Sequence, residues 1–433
     1  MSKLSKKDRI FIGITLFSMF FGAGNLIFPP FLGLQAGRLV IPAFLGFAVS
    51  AIGLPVLGVA AVARSGGLPK LAGRVSGWFA AVFTMLIYLS IGPCLAIPRT
   101  AGTSFEMAVT PFVGTVSPWM RAAYSVVFFG AALALALHPL KLVDWLGKRL
   151  APVLLALIAI LFIGCLVTRG NVPGEPAAAY ANAAAVQGFL DGYQTMDAMA
   201  ALIFGIVMAA NIRARGVSKD QEVVRVTINA GLLTGVVFAL VYGALTFIGA
   251  TRGTAGMENG AAVLSATARS LFGTAGTVIV GAIFVIACLN TCIGLICCCA
   301  EYFQGLLPKV SYSVWAAAFA VISAVIANAG LNAILKVSVP VLLSLYPMAI
   351  VLIGLAFLPE TLQQNRPLLY SLTVGLTGLI SILAALDSSS LVIPGLTALA
   401  KSLPLYAEGL GWLCPAVIGL AAGMLVRGRK ERA

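Results

Sequence analysis

The segment Phe21-Gly22-Ala23-Gly24-Asn25-Leu26-Ile27-Phe28-Pro29-Pro30 puts two glycines, an asparagine and two adjacent prolines inside a long apolar run. Gly and Pro interrupt a helix ladder, and in hydrocarbon each freed backbone group is costly unless something binds it. Pro29 cannot donate to the carbonyl of Asn25, nor Pro30 to that of Leu26, so carbonyl oxygens are released. A half-helix starting near Asn25 also presents unpaired N–H groups and its positive dipole end at mid-depth. Free carbonyls suit a hard cation and free amides suit a carboxylate. The residues predict a helix break over Gly22–Asn25 and a ligand held there.

A second segment has the same character. Gly188-Phe189-Leu190-Asp191-Gly192-Tyr193-Gln194-Thr195-Met196-Asp197 packs two carboxylates, a glutamine, a tyrosine and two glycines together, then runs apolar to Met208. Ionisable residues inside a membrane span are functional candidates by default. Asp197 belongs inside, because the run from Ala198 to Asn211 is too short to cross without it. Asp191 and Gln194 have a second reading, as outer-loop residues of a span beginning near Met196. Partners are expected from Tyr88, Ser90, Gly92 and Pro93, from Thr227 and Asn229, and from Asn290, Thr291 and Cys292. Each alone is satisfied by a bond between helices; their shared depth with the breaks makes them candidates. The eight cysteines lie in apolar runs without metal spacing, and the single histidine, His138, has no ligand neighbours. They are read as packing residues.

The elements that position these residues are membrane helices. The chain has 433 residues, 60% hydrophobic and 10% charged, against roughly a quarter charged in a soluble domain. Mean hydropathy is +1.03. Twelve spans are predicted: Arg9–Gln35, Leu39–Ala63, Trp78–Arg99, Trp119–Leu137, Leu142–Val167, Val186–Ile212, Val223–Ala250, Thr274–Tyr302, Ser311–Ala329, Leu331–Leu358, Pro367–Leu386 and Leu403–Val426. The runs lack the alternation of a barrel and are therefore helical. Between them, Gly66–Gly77 reads as an interfacial elbow, Thr168–Ala185 as an irregular outer loop and Thr251–Gly273 as a short helix over the outer face.

The net charge of +14 is placed for topology, not for nucleic acid. Basic groups (Lys3, Lys6, Lys7 and Arg9; Arg64, Lys70 and Arg74; Lys141, Lys148 and Arg149; Arg213, Arg215, Lys219 and Arg225; Arg427, Arg429, Lys430 and Arg432) fall on alternate loops, which puts both termini in the cytoplasm. Lys6–Phe21 has the look of a signal peptide, but apolar character resumes at Leu26, so the segment reads as a retained first span.

The two interrupted segments each open a set of five spans, so the second set is inverted relative to the first. Inverted repeats with broken helices point to a secondary transporter with its site between them. The chain is expected to be one polytopic domain over 1–433, with repeats at 9–167 and 186–358 and extra helices at 367–426.

Phe21–Pro30, with Gly192-Tyr193-Gln194-Thr195-Met196-Asp197 and Phe204-Gly205, resembles the bacterial branched-chain amino acid:cation symporters (transport system II carriers). The similarity runs over most of the chain. It implies an all-α, leucine-transporter-like fold of five plus five inverted helices and two more, in a bacterial inner membrane. It also implies uptake of leucine, isoleucine and valine driven by sodium or protons, with no cofactor, no nucleic acid and no obligatory protein partner. By that resemblance and the local chemistry, substrate is expected at Phe21, Gly22, Ala23, Gly24, Asn25, Tyr88, Asp191, Gly192, Tyr193, Thr195, Met196 and Asp197. The ion is expected at Gly22, Asn25, Thr195, Asn229, Asn290 and Thr291. Adjacent hydroxyls on the eighth helix ligate sodium in relatives of the fold; here Thr291 is followed by Cys292. Leu89 joins Phe21 and Met196 in the expected apolar pocket. A channel is the next reading and an enzyme the last, since no nucleophile elbow, phosphate loop or His/Cys/carboxylate cluster is present.

Overall fold

The computed structural model describes residues 4–426 other than 114, 169, 360, 361, 363–367 and 392. Lys3, the basic tail from Arg427 and the expected start of a span at Pro367 lie outside the described residues. The regular structure among those described is all helical, and nine helical runs among them are long and apolar enough to cross a membrane.

Helix α1 (Lys6–Phe20) stops at the predicted break. Phe21 and Gly22 are extended, and α2 (Ala23–Ala36) starts at once. The break is shorter than predicted, because the Asn25 Oδ1 accepts the Gly22 N–H at 2.9 Å and folds Gly24 and Asn25 into the first turn of α2. Pro29 and Pro30 are carried inside α2. The chain turns at Gly37, φ +50°, where a side chain would be strained and would run into the Gly174 carbonyl. It continues as α3 (Val40–Ala48), a wide turn over Val49–Gly53 and α4 (Leu54–Ser65). The predicted inner elbow is the short α5 (Leu68–Gly73).

The third span differs from expectation. After α6 (Gly77–Leu89) the backbone is interrupted over Ser90–Cys94, where Gly92 leaves helical geometry ahead of Pro93. Helix α7 (Ala96–Ala108) then carries the span well past Arg99, where the sequence reading closed it. Next come α8 (Pro118–Ala136), a wide-turned stretch Val143–Leu150 leading into α9 (Ala151–Val167), and the small α10 (Ala178–Ala181).

The sixth span is interrupted as predicted. Helix α11 (Ala184–Tyr193) ends before Gln194-Thr195-Met196, and α12 (Asp197–Ala214) begins with Asp197 in its first turn. Met196 takes the left-handed conformation (φ 66°). Then follow α13 (Asp220–Arg252), α14 (Gly260–Phe272), α15 (Thr274–Leu306), α16 (Tyr312–Ala327), α17 (Leu331–Leu355), α18 (Leu369–Ser388), α19 (Leu396–Lys401) and α20 (Leu413–Leu425). The predicted last span, Leu403–Val426, is helical only from Leu413. Pro404 lacks an amide donor, and Leu405 and Gly409 have positive φ, so residues 403–412 are turns and bends.

Packing places the breaks. Helix α2 lies on α13 and α14, α11 on α3, α1 on α13, α12 on α4, and α7 on α15. Contacts are backbone-close where glycine allows it: a Cβ on Gly46 would strike the Ala185 carbonyl, and one on Gly188 the Ala43 carbonyl. A buried aromatic column backs the first break. Phe17 stacks on Phe21 (5.0 Å) and meets Phe238 (5.4 Å), which stacks on Tyr242 (4.8 Å).

Candidate substrate and ion site

The two breaks meet. The Asn25 side chain, at the start of α2, donates through Nδ2 to Asp197 Oδ2 at 2.6 Å and to the Tyr242 hydroxyl. Tyr242 in turn donates to the same Asp197 oxygen at 2.9 Å. Asn25 and Asp197 are each 1% exposed. A buried carboxylate survives only where donors converge on it, and here one comes from α2 and one from α13. The start of α12 is held further by α17, whose Tyr346 hydroxyl accepts the Ala198 N–H at 3.3 Å. The Thr195 hydroxyl donates to the Gly192 carbonyl at 2.8 Å and lies 3.5 Å from the Asp197 N–H.

A cavity of about 20 Å³ lies between the breaks, room for about one water. Polar atoms around it come from Gly22, Asn25, Arg99, Thr195, Asp197 and Thr291, apolar ones from Met19, Ile91, Met196, Phe204 and Leu295. Phe20 and Phe204 meet edge to face at 4.7 Å and join α1 to α12 on its wall. This is a closed arrangement in which a leucine does not fit without movement of its walls.

Of the residues singled out from sequence, Gly22, Ala23, Asn25, Thr195, Met196, Asp197 and Thr291 line this cavity. Gly24 lies against it: a Cβ there would come within 2.9 Å of the Arg99 Nη2 and 3.2 Å of the Gln194 carbonyl. Thr291 presents a buried hydroxyl without a partner beside the first break, and a Cβ on Gly22 would be 2.7 Å from it. Asn290 sits one step aside, donating to the Ser18 hydroxyl at 2.7 Å with its Oδ1 unpartnered.

The others are elsewhere. Phe21 belongs to the aromatic column. Tyr88 stacks on Tyr302 at 3.9 Å, under α15. Asp191 lies within α11, two residues before its end, where it accepts from Tyr180 and from Gln187 away from the cavity; it belongs to the helical run Ala184–Ala214 and not to a loop ahead of Met196. Gly192 packs on Ser50, and Tyr193 stacks on Tyr346 and faces a separate cavity beside Trp412. Asn229 is exposed on α13 and does not reach the site, because the buried face of that helix runs through Thr227, Ala230 and Thr234. Leu89 is outside the cavity lining.

Sequence reading missed Arg99, Tyr242 and Tyr346. Arg99, 5% exposed, is a wholly internal cation on α7 that donates from Nη1 to the Gln194 carbonyl at 3.1 Å. Its charge in a run of small residues after Gly92-Pro93 was the available signal. The tyrosines were findable as lone hydroxyls in apolar runs, since a buried Tyr O–H normally has a partner.

Comparison with known proteins gives the same frame. The family model described as branched-chain amino acid transport protein matches residues 5–430. The branched-chain amino acid permease BraB of Bacillus subtilis (strain 168) is 38% identical over 428 residues, 98% of this chain and 96% of the relative. The branched-chain amino acid permease BrnQ of Corynebacterium glutamicum is 40% identical over 432 residues, 99% and 97% of the two chains. Among solved structures, Mhp1, a nucleobase-cation-symport-1 family transporter in a closed conformation with bromovinylhydantoin bound, superposes with a TM-score of 0.54 at 14% identity, over 96% of this chain and 91% of that one. Its inward-facing conformation gives 0.56 at 13%, over 95% and 90%. At such identity the likeness is one of fold, that of a helical membrane transporter. These relatives are permeases and carriers, not enzymes, and the chain belongs to the branched-chain amino acid transport protein family.

Proposed function

We propose that this chain is a secondary active transporter that carries leucine, isoleucine and valine into the cell with sodium, by alternating access. The observation that carries the reading is the meeting of the two interrupted spans: the Asn25–Asp197 bond ties one break to the other across a cavity with polar and apolar sides. The first amides of α2 are oriented for a carboxylate. Asp197 and the carbonyls of the second break serve an ammonium group. Met19, Ile91, Met196, Phe204 and Leu295 supply apolar contact for a branched side chain. A pocket of that kind separates one methylene by only about 1–3 kcal/mol, so the three substrates overlap. The partnerless Thr291 hydroxyl beside the first break supports a cation there.

In this reading the chain crosses twelve times, with both ends inside and the second five spans inverted on the first. The packing favours it: α2 on α13 pairs with α12 on α4, and α11 on α3 pairs with α1 on α13, as a pseudo-two-fold in the membrane plane requires. Proton coupling is the second reading, because Asp197 is the only carboxylate among the described residues lining the cavity. Purified protein in liposomes, given labelled leucine with a sodium gradient or a pH gradient imposed separately, tests both. Stimulation by sodium alone is expected. Stimulation by the pH gradient alone transfers the coupling to Asp197, and absence of leucine uptake under either gradient ends the reading.

A further inference from the structure

We infer that Arg99 is the determinant of the substrate carboxylate. This rests on the amino-acid transport proposed above and adds a residue to it. A guanidinium stays charged, and a buried cation requires compensation. Yet among the described residues no carboxylate oxygen lies within 4.0 Å of Arg99, Asp197 included. Of its five N–H donors, the structure engages one, on the Gln194 carbonyl. The guanidinium lines the same cavity as Asp197.

Its position is built by the backbone. The interruption at Ser90–Cys94 re-aims α7, so Arg99 comes in its first turn and faces the breaks instead of the outer surface. Gly24 lets the guanidinium lie against the start of α2, since a Cβ there would press on Nη2. The N-terminal amides of α2 and the planar fork of Arg99 therefore serve the same cavity. Together they form a site for two carboxylate oxygens, the geometry at which Arg surpasses Lys. An α-amino acid bound between Arg99 and Asp197 neutralises both ends of its zwitterion, whereas an amine or amide leaves Arg99 uncompensated. The structure assigns to Arg99 the rejection of substrates that lack a carboxylate.

The test is competition against labelled leucine uptake in proteoliposomes, with unlabelled leucine and leucinamide as competitors. The wild-type protein is expected to prefer leucine strongly. Arg99→Gln is expected to raise the leucine KM by roughly tenfold to hundredfold, the scale of a charge-assisted contact, and to bring the leucine-to-leucinamide ratio close to one. Arg99→Lys is expected to fall between, because a point charge replaces a fork. Gly24→Ala is expected to raise the leucine KM while leaving inhibition by leucinamide unchanged. If Arg99→Gln fails to insert, Arg99→Lys and Gly24→Ala decide. An unchanged ratio in the inserted Arg99 variants, or a drop in turnover with KM intact, makes Arg99 a structural or gating cation and overturns the inference. Wild-type protein that takes up no leucine would instead overturn the transport reading itself.

Discussion

At the scale of single residues, Asn25 does three jobs with one side chain. Its carbonyl closes the first turn of α2 on Gly22, and its amide serves both Asp197 and Tyr242. Removing one partner of a buried bond costs about 1–3 kcal/mol, and here Asp197 would also lose a donor. Asn25→Ala is therefore expected to abolish leucine uptake in liposomes while the protein still inserts and purifies as a single species. Asp197→Asn, which keeps the shape and removes the charge, is expected to do the same. Thr291 has a narrower role. Thr291→Ala deletes a hydroxyl with no protein partner, so stability is spared. Uptake measured against sodium concentration is expected to need about tenfold more sodium for half its maximum, the loss of one ligand to a charged species; an unchanged sodium curve removes Thr291 from the ion site. How far these residues were legible depended on the signal. Asn25 and Asp197 stood out as polar groups in apolar runs. Arg99 did not, because Trp78–Arg99 already filled the length of a membrane crossing and the arginine looked like its end. Asn229 matches the breaks in depth alone, and depth says nothing about which face of α13 it occupies.

At the scale of elements, the breaks were readable but their limits were not. Gly22 marks the first one, and nothing forces the helix to wait until Asn25 once that side chain caps the turn. The second break lies at Gln194–Met196, where Met196 adopts a left-handed conformation that no local glycine signals; the fold around it imposes it. The interruption of the third span was written in Gly92-Pro93, yet its consequence, a span extending to Ala108, needed the whole bundle. Helix pairing follows the small residues. Gly46 and Gly188 let α3 and α11 approach to backbone contact, the small-residue packing that substitutes for a hydrophobic drive between helices in lipid. Gly188→Ala is expected to push α11 off α3 and shift the second break with it. Thermal unfolding in detergent should begin several degrees lower and leucine uptake should fall. Gly73→Ala, at the end of α5 where a Cβ meets nothing within 4 Å, is expected to change neither. Equal melting temperatures for the two variants would show that the α3–α11 contact does not hold the break in place.

At the scale of the whole molecule, closing the cavity between α1 and α12 depends on weak contacts between strong elements. Phe20 and Phe204 join α1 to α12. Beyond them, Arg215, just past α12, reaches Asp8 on α1 at 3.7 Å and Asp144 at 3.5 Å, and Asp144 also pairs with Lys148 at 2.7 Å. In the proposed transport cycle, an opening between α1 and α12 has to part both sets. The aromatic contact is buried, while the ion pairs are partly exposed, and such pairs are worth about 0.2–1 kcal/mol. That magnitude suits a latch: it biases two states by up to about fivefold without locking either. Arg215→Ala is therefore expected to favour the inward-open state without unfolding the protein. A cysteine placed at Ala200, which lines the cavity beside Asp197, should then react with a membrane-impermeant maleimide from the cytoplasmic side about two- to fivefold faster than in the parent. High salt should raise the parent's rate toward that of the variant, because screening weakens exposed pairs. The same labelling checks orientation: a cysteine at Lys219 is expected to react only from the cytoplasmic side and one at Glu258 only from outside. Identical Ala200 labelling in the presence and absence of Arg215 would leave the inner closure to Phe20 and Phe204 alone.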